Sequence, residues 1–159
     1  MKTLTIETPE AMDELGARIA AELRAGDLVL LNGELGAGKT TLTRGIGAAL
    51  AVRGTVTSPT FVLARTHPRV DAPPLVHVDA YRLGSAVELD DLDIDYAASI
   101  VVMEWGAGLT DGITDAWLTV DIDRPHGGDE SAEVEPRTVR IEGHGERWAG
   151  VELLDASRD

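Results

Sequence analysis

The sequence predicts an α/β fold of three layers, with a largely parallel central sheet and a C-terminal antiparallel strand pair. Two unbroken apolar runs, residues 28–31 and 100–103, are typical of strands buried on both faces of a parallel sheet. Alternation of apolar and polar side chains in residues 117–123 and 137–142 predicts the antiparallel pair. The length of 159 residues is that of one domain and the sequence shows no internal repeat, so we expect residues 1–159 to form a single domain.

Composition and charge narrow the class of protein. A chain of 159 residues with 43% hydrophobic and 26% charged residues is typical of a soluble globular domain. The absence of cysteine excludes disulfides, thiolate metal sites and a cysteine nucleophile. No apolar run approaches a membrane span and the N-terminus lacks an apolar signal core, so we expect a cytoplasmic protein with no membrane partner. The net charge of −14 argues against a general nucleic-acid surface, although an acidic subunit could dock on a basic partner.

The first predicted elements are a short strand and an amphipathic helix. Residues 2–7 alternate polar and apolar side chains, as a strand with one buried face does. Thr8 is placed to cap a helix that begins at Pro9. One face of that helix is apolar, and Gly26 fits its end. The apolar face consists of Met12, Leu15, Ile19 and Leu23.

A glycine-rich motif follows the strand at residues 28–31. Residues 33–40, GELGAGKT, match G-x-x-x-x-G-K-[ST] at every position, and apolar residues recur at helical spacing from Leu42 onward. Such glycines let backbone N–H groups turn toward an anion, and the following helix N-terminus adds partial positive charge. An ordinary glycine turn is the alternative, but the order of strand, loop and helix favours a P-loop NTPase-like fold. Lys39 would then reach the β- and γ-phosphates, and the Thr40 hydroxyl would bind Mg²⁺.

The next segment reads as a loop followed by two strands. Residues 54–61 contain four hydroxyl side chains and a proline, with no core-facing pattern. This segment is either a polar connection or a switch-like loop that closes over the γ-phosphate and metal. Residues 61–66 and 75–80 predict two strands, joined by a loop at residues 67–74 whose three prolines suit a turn.

Two predicted strands carry a carboxylate at the end. Asp79 closes the apolar stretch of residues 75–80, and Glu104 follows the cleaner apolar run at residues 100–103. Strand-end acids lie beside the phosphates in phosphate-loop proteins, although many strands end in Asp for turn reasons. Glu104 is the better candidate for the carboxylate that binds the metal, because its apolar run is the cleaner one. His77 is predicted to pack or hydrogen-bond within its own strand, because the histidines show no metal-ligand spacing.

The remaining segments are less informative. Residues 88–95 contain five acids, which form either a solvated face or a docking surface; the spacing does not support a calcium loop. Residues 125–136 predict a flexible loop between the two antiparallel strands. Residues 145–154 predict a last short helix within a C-terminal tail, residues 145–159, to which we assign no function.

Four separate motifs together resemble the TsaE family, the ATPase of bacterial tRNA threonylcarbamoyladenosine synthesis. They are LNGELGAGKTTLTRGI at residues 31–46, TSPTF at 57–61, HVDAYRL at 77–83 and VVMEW at 101–105. The resemblance, which covers about residues 3–140, implies a phosphate-loop fold and hydrolysis of ATP with Mg²⁺. It also implies action with the partners TsaD and TsaB, which modify the adenosine beside the anticodon of certain tRNAs; contact with tRNA would be indirect.

The same resemblance implies roles for individual residues. Lys39, Asp79 and Glu104 would be catalytic, with Asp79 needed for hydrolysis, and Thr40 and Glu104 would hold Mg²⁺. Trp105 would join the nucleotide site. The phosphates would be bound by Gly33, Glu34, Leu35, Gly36, Ala37, Gly38, Lys39, Thr40 and Thr41, and the switch-like loop would comprise Thr57, Ser58 and Thr60. Glu34 departs from the aspartate usual in the family, which keeps the charge and lengthens the side chain by one methylene.

Two other functions are compatible with a phosphate-binding loop. A small-molecule kinase would need an arginine-bearing lid, and Arg65 and Arg69 form no such cluster in the sequence. A non-catalytic, ATP-gated binding module is the third interpretation. Guanine specificity is excluded because its Asn-Lys-x-Asp motif needs a lysine, and no lysine follows Lys39.

Overall fold

A computed structural model describes residues 2–33, 38–52, 64–79, 94–104, 114–123 and 136–149. These residues form seven strands, two α-helices and a short 3₁₀ helix. In chain order the elements are β1 Lys2–Ile6, α1 Pro9–Ala20, β2 Leu28–Gly33, α2 Lys39–Ala49, β3 Ala64–Arg69, β4 Ala72–Asp79, β5 Ile100–Glu104, β6 Trp117–Asp123, β7 Arg137–His144 and the 3₁₀ helix Glu146–Trp148. Neither α-helix in these ranges is long and apolar enough to cross a membrane.

The strands form one mixed sheet in the order β1-β7-β6-β2-β5-β4-β3. Strands β4, β5, β2 and β6 run parallel to one another at the centre of the sheet. At the two sides β3 pairs antiparallel with β4, β7 with β6, and β1 with β7. The C-terminal antiparallel pair is therefore confirmed as β6 and β7, whereas the expectation of a largely parallel sheet holds only for its centre. The parallel centre brings the carboxyl ends of β2, β4 and β5 to the same edge.

The hairpin of β3 and β4 replaces the loop that was predicted at residues 67–74. The turn lies at Val70 and Asp71, and Asp71 adopts a left-handed φ of 50°. Pro68 lies in β3, an edge strand, where the pairing register shifts between His67 and Arg69. Proline is tolerated at edges and bulges because no ladder hydrogen bond is lost there. Pro73 and Pro74 lie at the start of β4, before Leu75, the first residue of β4 that is paired with β5. The loop prediction was wrong because proline content alone does not reveal where a strand lies at an edge or extends beyond its partner.

Helices α1 and α2 pack together and cover one face of the sheet. The Thr8 hydroxyl accepts a hydrogen bond from the Ala11 amide at 3.0 Å, so the predicted cap of α1 is confirmed. The helices approach closely at Gly16 and Gly45, where an added Cβ would collide with backbone atoms of the other helix. This contact fixes α2, and hence its N-terminus, relative to the sheet. The core on this face includes Leu15, Ile19, Val29, Leu31, Leu42, Ile46, Val102 and Val120.

The opposite face of the sheet carries a second, smaller apolar cluster. It contains Leu28, Leu30, Val76, Val78, Val101 and Met103. The described residues include no helix over this face, so they show two of the three predicted layers. At the C-terminus the helix predicted at residues 145–154 is present only as the 3₁₀ helix Glu146–Trp148; Ala149 is extended, and residues 150–154 lie outside the described residues.

Candidate nucleotide-binding site

Strand β2 and helix α2 form the flanks of the glycine-rich motif. β2 ends at Gly33 and α2 begins at Lys39, with Gly38 as the N-cap at a φ of 114°. That conformation is strained for any residue with a Cβ, so a glycine is required at position 38. Among the described residues no side chain caps this helix, and its first turn contains no acid, so its N-terminal amides are not met by an anionic side chain of that turn. Such a helix end favours an anion.

Lys39 is a buried cation at the start of α2. Lys39 is only 6% exposed. Its Nζ donates a hydrogen bond to the Gly33 carbonyl oxygen at 2.5 Å. Burial lowers the pKa of the Lys39 amine below its ordinary value of 10.5, while the negative charges of Glu104 and Asp79 oppose this shift. The lysine thus bonds to the end of β2 and lies within electrostatic reach of two carboxylates.

The two acids predicted at strand ends lie next to each other. Asp79 is the last residue of β4 and Glu104 is the last residue of β5, and the two are paired in the parallel register. Glu104 is also paired with Leu31 on β2. Glu104 is buried, whereas Asp79 is half-buried. Lys39, Asp79 and Glu104, which the sequence predicts as catalytic, therefore converge at one edge of the sheet.

A hydrogen bond from His77 is a feature of this site that the sequence did not reveal. His77 Nε2 lies 2.7 Å from Glu104 Oε2, and the histidine is fully buried. His77 was predicted to pack or bond within its own strand, but its partner is on the neighbouring strand β5. The available signal was its position two residues before Asp79, which places both side chains on the same face of β4.

A second buried histidine lies beside this pair on the edge strand. His67 on β3 is 4% exposed, and its Nε2 has no hydrogen-bond partner in the part of the chain that the structure describes. Burial lowers the pKa of His67 below its ordinary value of 6.5, and His77 and Arg65 lower it further. The neutral imidazole is therefore the form that the folded protein favours.

The remaining predicted site residues divide into two groups. Gly33 and Gly38 flank the loop, while Thr40 and Thr41 lie half-buried in the first turn of α2. The others lie outside the described residues; they are Glu34, Leu35, Gly36, Ala37, Thr57, Ser58, Thr60 and Trp105. Within the described ranges no three His, Asp or Glu side chains form a metal site by themselves.

Comparison with known proteins identifies the family. A model described as threonylcarbamoyl adenosine biosynthesis protein TsaE matches residues 6–132. The chain belongs to the TsaE family. A Streptomyces coelicolor relative, named tRNA threonylcarbamoyladenosine biosynthesis protein TsaE, is 58% identical over 146 residues, which cover 89% of this chain and 97% of that protein. A Bacillus subtilis protein of the same name is 32% identical over 139 residues, covering 84% and 85% of the two chains.

A solved structure shares the fold of this chain. The crystal structure of Bacillus subtilis YdiB superposes with a TM-score of 0.69 at 29% sequence identity. The superposition covers 93% of this chain and 90% of that one. The similarity therefore extends over nearly the whole length of both proteins.

Proposed function

We propose that this chain is a Mg²⁺-dependent ATPase subunit required for the threonylcarbamoyl modification of adenosine beside the anticodon of tRNA. The observation that carries the proposal is the convergence of Lys39, Asp79 and Glu104 at the N-terminus of α2. The printed names of the relatives support the pathway, since they describe proteins of tRNA threonylcarbamoyladenosine biosynthesis.

Binding of the ATP phosphates follows from Lys39 and the start of α2. The helix N-terminus favours negative charge, and the buried Nζ supplies a full positive charge beside it. Because burial disfavours the charged amine, a phosphate would relieve that cost by adding negative charge next to Lys39. Lys39 would therefore bind the triphosphate, and Thr41 and the glycine-rich loop would complete the phosphate-binding site.

The residues present fit a magnesium ion. Mg²⁺ prefers hard oxygen ligands and commonly takes one or two carboxylates plus substrate phosphates. Glu104 supplies a buried carboxylate, and Thr40 supplies a hydroxyl in the first turn of α2. Since the described residues contain no complete three-ligand cluster, phosphate oxygens and water would complete the shell. When bound, the ion would neutralise charge on the phosphates.

Asp79 is assigned to the attacking water. Asp79 is half-buried and is paired in register with Glu104, the proposed metal ligand, so it would lie beside the proposed metal and γ-phosphate. Accepting a hydrogen bond from the water would orient it for in-line attack on the γ-phosphate. The Lys39 ammonium would stabilise the charge that develops on the phosphate oxygens.

The partners we propose are TsaD and TsaB, with tRNA reached only through them. Phosphate-loop proteins that lack a supplied arginine hydrolyse as slowly as ~10⁻⁴ per second, and an arginine contributes about 10³–10⁵-fold. We expect slow hydrolysis by the isolated chain and faster hydrolysis in the complex.

Steady-state assays of ATP hydrolysis with and without TsaD and TsaB from the same source test this expectation. A rate above ~1 per second alone that the partners do not change would contradict it.

The alternative is a small-molecule kinase on the same loop, and the contacts of Arg69 argue against it. Arg69 Nε donates to the Leu50 carbonyl at 2.8 Å and Nη1 donates to the Pro73 carbonyl at 3.1 Å. These bonds tie the end of α2 to the β3–β4 hairpin, so this arginine has a structural role. Release of inorganic phosphate in equal amount to ADP, without an added acceptor, separates hydrolysis from phosphoryl transfer.

A further inference from the structure

The contact between His77 and Glu104 joins two almost fully buried side chains across the parallel pair of β4 and β5. Nε2 and Oε2 are 2.7 Å apart, and the side chains are 0% and 7% exposed. His77 is paired in register with Val102, so its ring reaches diagonally toward the next position of β5 on the same face. The bond is therefore shielded from water, where a hydrogen bond to a carboxylate is stronger than at the surface.

The chemistry of the two groups fixes the direction of this hydrogen bond. An ionised carboxylate only accepts, so the proton between the two atoms belongs to His77 Nε2. The other ring nitrogen, Nδ1, is buried and has no hydrogen-bond partner among the described residues. Among the described residues, the polar contact of this buried imidazole is thus directed at one oxygen of Glu104.

We infer that His77 is a positioning residue that holds the Glu104 carboxylate in the orientation required to bind a divalent cation. The inference rests on the proposed function, because Glu104 is the proposed ligand. Carboxylate ligands of metals are themselves hydrogen-bonded, and removal of such a partner typically costs 10–100-fold in metal affinity. A histidine that only filled the core would be replaced at least as well by an apolar side chain, because its Nδ1 has no partner within the described ranges.

Three substitutions isolate the donor. His77→Leu removes it and keeps an apolar volume in the core, whereas His77→Gln places an amide N–H close to the position of Nε2. His67→Leu is the matched control, since His67 is also buried and lies on the adjacent strand but has no bond to Glu104. If His77→Leu does not fold, His77→Asn replaces it, because its shorter amide corresponds to Nδ1 and does not reach β5.

The readout is Mn²⁺ affinity measured by electron paramagnetic resonance in the presence of ADP, together with ADP affinity in EDTA. We expect His77→Leu to weaken Mn²⁺ binding roughly 10–100-fold, His77→Gln to recover most of it, and His67→Leu to match wild type. Metal-free ADP affinity should be unchanged in all of them. Equal Mn²⁺ affinity in His77→Leu and wild type, or equal weakening in His77→Leu and His77→Gln, would overturn the inference.

A Glu104→Gln variant in the same experiment separates this inference from the proposed function. If Glu104→Gln loses Mn²⁺ while His77→Leu retains it, the proposed site stands and the positioning role is wrong. If wild type binds no Mn²⁺ with ADP, or Glu104→Gln binds it normally, the proposed metal site is wrong and the role of His77 falls with it.

Discussion

Asp79 and Glu104 occupy paired positions at the last residues of two adjacent parallel strands. Strands β4 and β5 run in the same direction, so their carboxyl ends meet at one edge although the residues are distant in sequence. Two neighbouring carboxylates repel each other unless a cation lies close by. The buried amine of Lys39 is placed to offset that repulsion, since both carboxylates favour its charged form.

The first prediction concerns Lys39. Lys39→Met should greatly weaken ATP binding, because each lost charge-assisted hydrogen bond to phosphate is worth about 1.5–3 kcal/mol. The nucleotide-free variant should be less stable than wild type, because methionine removes the cation that offsets the repulsion between Asp79 and Glu104, and it removes the hydrogen bond from Nζ to the Gly33 carbonyl oxygen. Isothermal calorimetry with MgATP and urea unfolding without nucleotide measure the two effects. Equal ATP affinity in variant and wild type would count decisively against the proposed site.

The second prediction separates the two strand-end acids. Glu104→Gln should lose Mg²⁺-dependent hydrolysis while keeping metal-free nucleotide binding, because the buried carboxylate is the proposed metal ligand. Asp79→Asn should lower the hydrolysis rate about 10²–10⁴-fold, the usual range for a positioned acid or base, with little change in nucleotide affinity. Single-turnover hydrolysis and equilibrium binding, each with and without Mg²⁺, check both. The assignments are reversed if Asp79→Asn is the variant that cannot use magnesium.

Local patterns in the sequence were sufficient to predict much of this site. The apolar run of β2, the glycine motif and the amphipathic spacing of α2 lie within residues 28–49, and each strand-end acid directly follows its own apolar run. Contacts between distant segments were not predictable in this way. The bond from His77 to Glu104 depends on which strands are neighbours in the sheet, and that order is not encoded in the pattern of any single segment.

The third prediction is that His67 makes stability depend on pH near neutrality. The unfolded chain takes up a proton near pH 6.5, whereas burial, His77 and Arg65 lower the pKa of His67 in the folded state. The unfolded state therefore binds more protons in this window. The contribution of the neutral His67 to stability is fully present above about pH 6.5 and is lost as the pH falls toward the lowered pKa of the folded state. Within this window the free energy of unfolding changes by at most about 1.4 kcal/mol per pH unit.

Urea unfolding of wild type and His67→Gln between pH 7.5 and about 5.5 tests this effect, since most carboxylates titrate below that range. The fall in stability should be smaller in His67→Gln. His144→Gln is the control, because His144 is about one-third exposed and stacks on Trp117 with ring centroids 4.9 Å apart. Identical pH dependence in wild type and His67→Gln would show that His67 does not titrate differently on folding.

The last prediction concerns an ion pair between Asp27 and Arg147, which are 120 positions apart in the sequence. Arg147 Nε donates to Asp27 Oδ1 at 3.0 Å, and Nη2 donates to Oδ2 at 3.1 Å. The Arg147 guanidinium also lies 4.2 Å from the centre of the Trp148 ring. The Asp27 side chain is 4% exposed, so removal of the arginine would leave a buried charge without its cation.

Removing one partner of a buried ion pair typically lowers the free energy of unfolding by about 3–5 kcal/mol. We expect Arg147→Met to lower it by about 3 kcal/mol, the low end of that range, because the Arg147 side chain is 17% exposed. Arg140→Met is the matched control. Arg140 is paired with Asp123 at 2.8 Å, but both side chains are exposed, so its loss should cost below about 1 kcal/mol. Urea unfolding at low and high salt measures both, and only the exposed pair should weaken appreciably with salt.

Nucleotide binding by Arg147→Met distinguishes a local from a general defect. Asp27 precedes the first residue of β2, whereas Gly33 and Lys39 lie at its far end, so the ion pair and the candidate site are separated by the strand, or about 20 Å. At temperatures where Arg147→Met is folded, its MgATP affinity should therefore equal that of wild type. An equal stability loss in Arg147→Met and Arg140→Met would show that the Asp27 pair is no stronger than a surface pair, and a loss of MgATP affinity would show that the two ends of β2 are coupled.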